Sequence, residues 1–191
     1  FKLEIPQDAE ANYSKGLLVI KLKSNWMIGG RNYLQGSLLA ANFDRFVRGE
    51  RNFDVLFEPT DRKSLAGWAF TRNYIIVNEL DNVKNSLVEM RRADGVWRKR
   101  AISLPGLGTV SVSALDADES DQYFLTLTDY LTPSTLFLGE AGIDRRSALK
   151  ALPAFFDASG FKVEQHEAVS KDGEKIPYFV VSGKQVKRDG S

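Results

Sequence analysis

Few residues in this chain of 191 are of a type that makes or breaks bonds. It has one histidine, His166, and no cysteine. That composition removes disulfides, thiolate zinc sites and cysteine nucleophiles, and it excludes a multi-histidine metal centre. A serine nucleophile of the hydrolase type needs a sharp GxSxG elbow to expose its hydroxyl, and GxSxG occurs nowhere in the chain. A lone histidine without such a partner has no proton-transfer chain to join. The sequence therefore assigns no catalytic residue, no metal ligand and no cofactor-binding residue. His166 is expected to be a structural residue of a hairpin.

Three other stretches invite chemistry and resist it. "LDADESD" gathers Asp116, Asp118, Glu119 and Asp121. A calcium loop of the EF-hand kind needs glycine at its sixth position and glutamate at its twelfth, where this stretch has Asp121 and Leu127. A solvated acidic turn is expected instead. "RRADGVWRKR" sets Arg91, Arg92, Arg98, Lys99 and Arg100 beside Trp97, a mixture found in nucleic-acid binders. Folded about its ADG turn it becomes the exposed face of two adjoining strands, and a formal net charge of +1 adds no attraction for polyanions. No nucleic-acid partner is expected. "MIGGRNYLQGS" lacks the lysine of a phosphate loop and opens no helix, so it reads as a turn insertion.

The elements that must carry these residues are short strands. "TVSVSALD" places Val110, Val112 and Ala114 on one face and Ser111 and Ser113 on the other; "YFLTLTDY" does the same with Tyr123, Leu125 and Leu127. Only "NFDRFVRGE" and "DRRSALKAL" are predicted to form short helical turns. No apolar run approaches the ~20 residues of a membrane span. The composition, 43% hydrophobic and 27% charged, is that of a soluble globular protein with no membrane partner expected; the localisation is unknown at this level, since a cytoplasmic or a periplasmic protein can equally lack cysteine.

The strands repeat. "GSLLAANFD", "NSLVEMRRADG" and "PSTLFLGEAG" align on Ser37, Ser86 and Ser134, which are 49 and 48 residues apart. "LEIP", "LFEP", "ISLP" and "KALP" place Pro6, Pro59, Pro105 and Pro153 at intervals of 46 to 53 residues. Within each period lie strands separated by turn chemistry, as in "SLAGWAFT", "NYIIVNEL", "NSLVEMRR" and "WRKRAISLP". Four antiparallel strands every ~40 to 50 residues describe a β-propeller blade. The predicted fold class is all-β: an open arc of three blades, about residues 7–59, 60–105 and 106–153. Closure needs about four to eight blades, so the uncovered end faces predict self-association of the isolated chain. The aromatics Trp26, Trp68, Trp97, Phe70, Phe155 and Phe156 are expected in packing between blades.

The third unit and its sequel, "YFLTLTDYLTPSTLFLGE" followed by "FKVEQHEAVSKDGEKIPYFVV", resemble the prolyl oligopeptidase family of serine peptidases. "GSLLAANFD" and "VLFEPTDRKSLAGWAF" resemble earlier blades of the same propeller. The resemblance implies a seven-bladed propeller capping an α/β-hydrolase domain, with a serine, histidine and aspartate triad in the cavity between them. It also implies short peptides cleaved on the carboxyl side of proline. On that reading residues 1–155 are three consecutive blades, and residues 156–191 are the linker and first hairpin, at Phe161 to Val181, of a hydrolase domain. The triad lies downstream, the domain is an intramolecular partner, and the chain alone is inactive. "FKLEIP" then reads as a cut into an existing strand and "VKRDGS" as the end of a fragment. No residue matches a pocket motif of the family, so the substrate-binding residues are unknown at this level. The alternative is a stand-alone propeller-type binding module without peptidase activity.

Overall fold

The computed structural model describes residues 2–187; Arg188 to Ser191, the end of the "VKRDGS" tail, lie outside the described residues. Among the described residues sixteen strands and one helix follow in order: β1 Glu10–Ser14, β2 Leu17–Lys21, β3 Trp26–Ile28, β4 Arg31–Tyr33, β5 Leu38–Asn42, α1 Phe43–Val47 and β6 Asp54–Phe57. Next come β7 Lys63–Phe70, β8 Ile75–Asp81, β9 Lys84–Ala93, β10 Val96–Ile102, β11 Thr109–Ala114, β12 Gln122–Thr128, β13 Thr135–Glu140 and β14 Arg145–Ala151. A last pair, β15 Phe161–Val169 and β16 Lys175–Gly183, ends the described chain. These strands make three four-stranded antiparallel meanders, β1-β2-β5-β6, β7-β8-β9-β10 and β11-β12-β13-β14, with two-stranded ribbons β3-β4 and β15-β16. The fold is that of propeller blades.

The chain divides into two compact units, one built on the residues up to 67 with 79–81, the other on 68–78 and the chain from 82 onward. In the first unit the register sets Leu18 opposite Ala41 and Ile20 opposite Leu39, so one face of β2 and β5 is continuously apolar. That face is buried with Tyr33, Phe46 and Phe53. Two expectations change here. The glycine-rich insertion is more than a turn, because it forms the ribbon β3-β4 and sends Trp26 and Tyr33 onto the Phe53 ring at 5.1 and 5.6 Å. Trp26 thus packs within this unit's own core. The meander also has a fourth strand, β1, whose sequence EANYS is almost wholly exposed and carries no apolar alternation.

α1 forms where "NFDRFVRGE" predicts it. Asn42 caps it, its side-chain oxygen accepting from the Arg45 N–H at 3.0 Å. "DRRSALKAL" does not form a helical turn; it is strand β14, paired with β13 from Glu140↔Arg145 to Thr135↔Ala151. Its alanines and leucines suit either state, and the open hydrogen-bonding edge of β13 decides between them.

In the second unit Val110, Val112 and Ala114 of β11 face Leu127, Leu125 and Tyr123 of β12, and this surface packs on Ile76, Leu87 and Ile102 of the preceding sheet. Fully burying side chains of this size contributes about 1.5 to 3 kcal/mol each. Gly139 is required opposite Tyr123, because a Cβ there would lie 2.4 Å from the Tyr123 ring. Phe155 and Phe156 depart from expectation. They follow the edge strand β14 and are 84% and 54% exposed, Phe156 meeting only the edge of the Phe161 ring at 5.9 Å. Among the described residues no strand pairs with the outer edge of β14, which they follow.

Candidate functional site

Polar side chains fasten the second sheet to the third at three levels. At one level Asn78 of β8 and Asn85 of β9 are hydrogen-bonded to each other at 2.8 Å. Together they clasp Val110: the Asn78 amide donates to the Val110 carbonyl at 2.9 Å, and the Val110 N–H donates to the Asn85 side-chain oxygen at 3.2 Å. At a second level Glu89, only 3% exposed, accepts from the Arg100 Nε at 2.6 Å and from the Gly142 N–H at 3.0 Å. The first of these bonds holds the Arg100 guanidinium above its ordinary pKa. Gly142 sits in the left-handed region at φ +92°, and a Cβ there would meet the Tyr74 hydroxyl at 2.5 Å.

The third level corrects the expectation of a solvated acidic turn. Asp121 reaches out of "LDADESD" to accept from the Thr71 hydroxyl, the Asn73 N–H and the Asn73 side-chain amide at 2.8, 2.7 and 2.7 Å. Asp116 caps its own turn through the Asp118 and Glu119 N–H groups. Among the described residues no group of three or more acidic or histidine side chains could hold a metal ion. The basic stretch is the predicted hairpin, turning at Asp94 and Gly95 with φ of 53° and 77°. It is not wholly solvated, since Arg100 belongs to Glu89 and Arg91 lies over the Tyr74 ring at 5.7 Å.

The ribbon β15-β16 shares no ladder with the three meanders. Two contacts dock it on their turns. Phe179 packs against Tyr130 of the β12–β13 turn with centroids 5.4 Å apart, and the Gln165 side-chain amide donates to the Asn82 carbonyl of the β8–β9 turn at 2.7 Å. His166 lies on β15 opposite Tyr178 of β16, and the two rings stack at 5.6 Å. This is a cross-strand structural pair.

Where the ribbon meets the turns, an open hollow of about 240 Å³ is lined by Val83, Leu107, Gly108, Tyr130 and Phe179, with Thr109, Thr128 and Asp129 at its side. A second, of about 230 Å³, lies beyond Tyr130 and is walled by Leu131, Pro133, Leu152, Phe155 and Phe156. The two share Thr128, Asp129 and Tyr130. No single strand periodicity marks these residues, because most come from turns and linkers and the rest from the ends of β11 and β12 and from β16. Of the stretches singled out in the sequence, the "LTPST" turn lies beside them. The arrangement suits binding of apolar groups and supplies no nucleophile.

The sequence model of the prolyl oligopeptidase N-terminal beta-propeller domain matches residues 21–151. The chain belongs to that family. Relatives of this prolyl oligopeptidase-family chain include an uncharacterized peptidase of Sinorhizobium fredii, 35% identical over 95% of the chain, and one of Rickettsia prowazekii, 30% identical over 99%. A prolyl endopeptidase of Elizabethkingia meningoseptica is 33% identical over 48% of the chain. Among solved structures, a post-proline cleaving enzyme from Rickettsia typhi superposes with a TM-score of 0.77, at 27% identity over 97% of the chain. Prolyl oligopeptidase B from Galerina marginata shares the fold at a TM-score of 0.71 and 22% identity. The chain spans 25% and 27% of the length of the first two relatives and 27% of the Rickettsia typhi structure. The family match stops at β14, before the ribbon β15-β16.

Proposed function

We propose that this chain is the access-restricting, non-catalytic part of a serine peptidase that hydrolyses short peptides on the carboxyl side of proline. Residues 1–155 act as three consecutive blades. Residues 156–191 are the linker and first hairpin of an α/β-hydrolase domain that carries the triad. The observation that carries this reading is the ribbon β15-β16. It pairs with none of the propeller-type sheets, meets their turns at Tyr130 and Asn82, and leaves Ile176, Tyr178 and Val181 exposed. Exposed apolar residues on a paired strand are what a sheet awaiting neighbours presents. The kinship with named prolyl endopeptidases supports the substrate class.

In this role the blades act sterically. A rigid stack beside the reaction chamber admits peptides and excludes folded proteins, so selection precedes chemistry. The isolated chain, with uncovered blade faces, self-associates.

The test is an assay of the parent protein and of this chain on a chromogenic peptide cleaved after proline. The parent should turn the peptide over and be silenced by a serine-directed phosphonylating inhibitor, while the chain alone stays inactive and elutes as oligomers in light scattering. Cleavage by the chain alone, or a parent that cuts without regard to proline, overturns the reading.

A further inference from the structure

We propose that the hollow lined by Val83, Leu107, Gly108, Tyr130 and Phe179 is a subsite for an apolar side chain of an extended peptide, remote from the bond that is cut; the assignment rests on the peptidase reading above. The first observation is Val83 itself. Four hairpins in the chain turn through two residues with positive φ: Lys15–Gly16, Gly29–Gly30, Asn82–Val83 and Asp94–Gly95. Three place glycine second, as this turn geometry favours. Only β8–β9 places a β-branched residue there, at φ +64°, in a region such residues rarely occupy. Stability alone selects glycine at that position. A side chain held at steric cost, 56% exposed and lining a hollow, points to a contact that is made when something enters.

The shape of the site identifies the occupant. At about 240 Å³ the hollow lies below the ~300 Å³ at which pockets begin to enclose whole drug-sized ligands, so it takes part of a molecule. Eight residues line it, well short of the roughly 20 to 30 residues a side of a stable protein interface, which argues against a second copy of the chain. The second hollow shares Tyr130 with the first. An extended peptide crossing Tyr130 meets both in turn, whereas a compact small molecule meets one. Polar groups of Thr109, Thr128 and Asp129 beside the apolar residues of the lining suit the N–H and C=O groups of a peptide backbone.

The experiment uses the parent protein and two peptide series with one proline cleavage site. One series is short; the other is extended by several residues, with leucine or serine at successive remote positions. Val83→Gly relieves the positive φ, so its Tm should equal or exceed that of the wild type. Its KM for the best leucine-extended peptide should nevertheless rise roughly 4- to 15-fold, as expected for the loss of contact with one or two methyl groups, with kcat unchanged. Lys15→Gly gives the same backbone relief in a turn that does not line the hollow and should alter neither KM nor kcat. A ratio of KM values between extended and short peptides that is the same in wild type and Val83→Gly overturns the subsite. If the parent cleaves no proline peptide, the peptidase reading fails separately. The subsite is then decided by fluorescence anisotropy with the labelled leucine-extended peptide, whose binding must weaken in Val83→Gly to sustain it.

Discussion

Two junctions in the second compact unit are built on opposite principles. Between the second and third sheets, Asn78, Asn85, Glu89 and Asp121 each reach backbone or side-chain groups of the neighbouring sheet, over an apolar layer that includes Leu87, Leu125 and Leu127. Between those sheets and the ribbon β15-β16 lie the Phe179–Tyr130 ring contact and the Gln165–Asn82 hydrogen bond, beside open hollows. A buried polar group is costly unless satisfied, so the first junction permits one relative position of its two sheets. The second has little to lose on opening.

The largest test of this contrast is Glu89→Ala. It strands the Gly142 N–H and removes the carboxylate that neutralises Arg100, which should cost about 3 kcal/mol, read as a lowered urea midpoint. A loss below about 1 kcal/mol would mean the clasp is dispensable. Phe179→Ala should do much less to global stability, about 1 kcal/mol, because Phe179 is only half-buried. Its effect should be local: amide exchange along β15 and β16 should accelerate while β9 and β12 stay protected. Acceleration spread over all strands would show that both junctions belong to one cooperative unit.

The smallest effect is at the ribbon's own turn. Asp172 accepts from the Ser170 hydroxyl and from the Glu174 N–H at 3.2 Å, and these bonds, the Ser170 one first, hold its carboxyl below the usual aspartate range. A carboxyl depressed on folding stabilises the turn above its unfolded pKa of about 3.9 and loses that contribution as pH falls through the lower folded value. Ser170→Ala should therefore raise the Asp172 pKa in an NMR titration and hasten exchange at the turn. An unchanged pKa would remove this account of the turn.

Most strands were legible because alternation with period two survives wherever one face is buried, as in β11 and β12. The failures have physical causes. β1 carries no apolar alternation because it is an exposed edge, and β14 reads as helix because its partner, not its composition, decides its state. Asp121 looked like solvent-facing charge since nothing local marks a carboxylate whose donors, Thr71 and Asn73, lie 50 and 48 residues away. The hollows beside Tyr130 were invisible for the same reason: Val83, Leu107, Tyr130 and Phe179 come from four separate segments.

By itself the sequence determined the blade repeat, the all-β class, the lack of a GxSxG nucleophile and the place of His166 in a terminal hairpin. Those properties follow from local spacing and residue type. Only the tertiary structure decided that Glu89 and Asp121 bind sheets together, that Phe155 and Phe156 face outward, and that a strained Val83 borders an apolar hollow beneath the ribbon. Each depends on which distant segments become neighbours, and that is set by the summed burial of whole sheets.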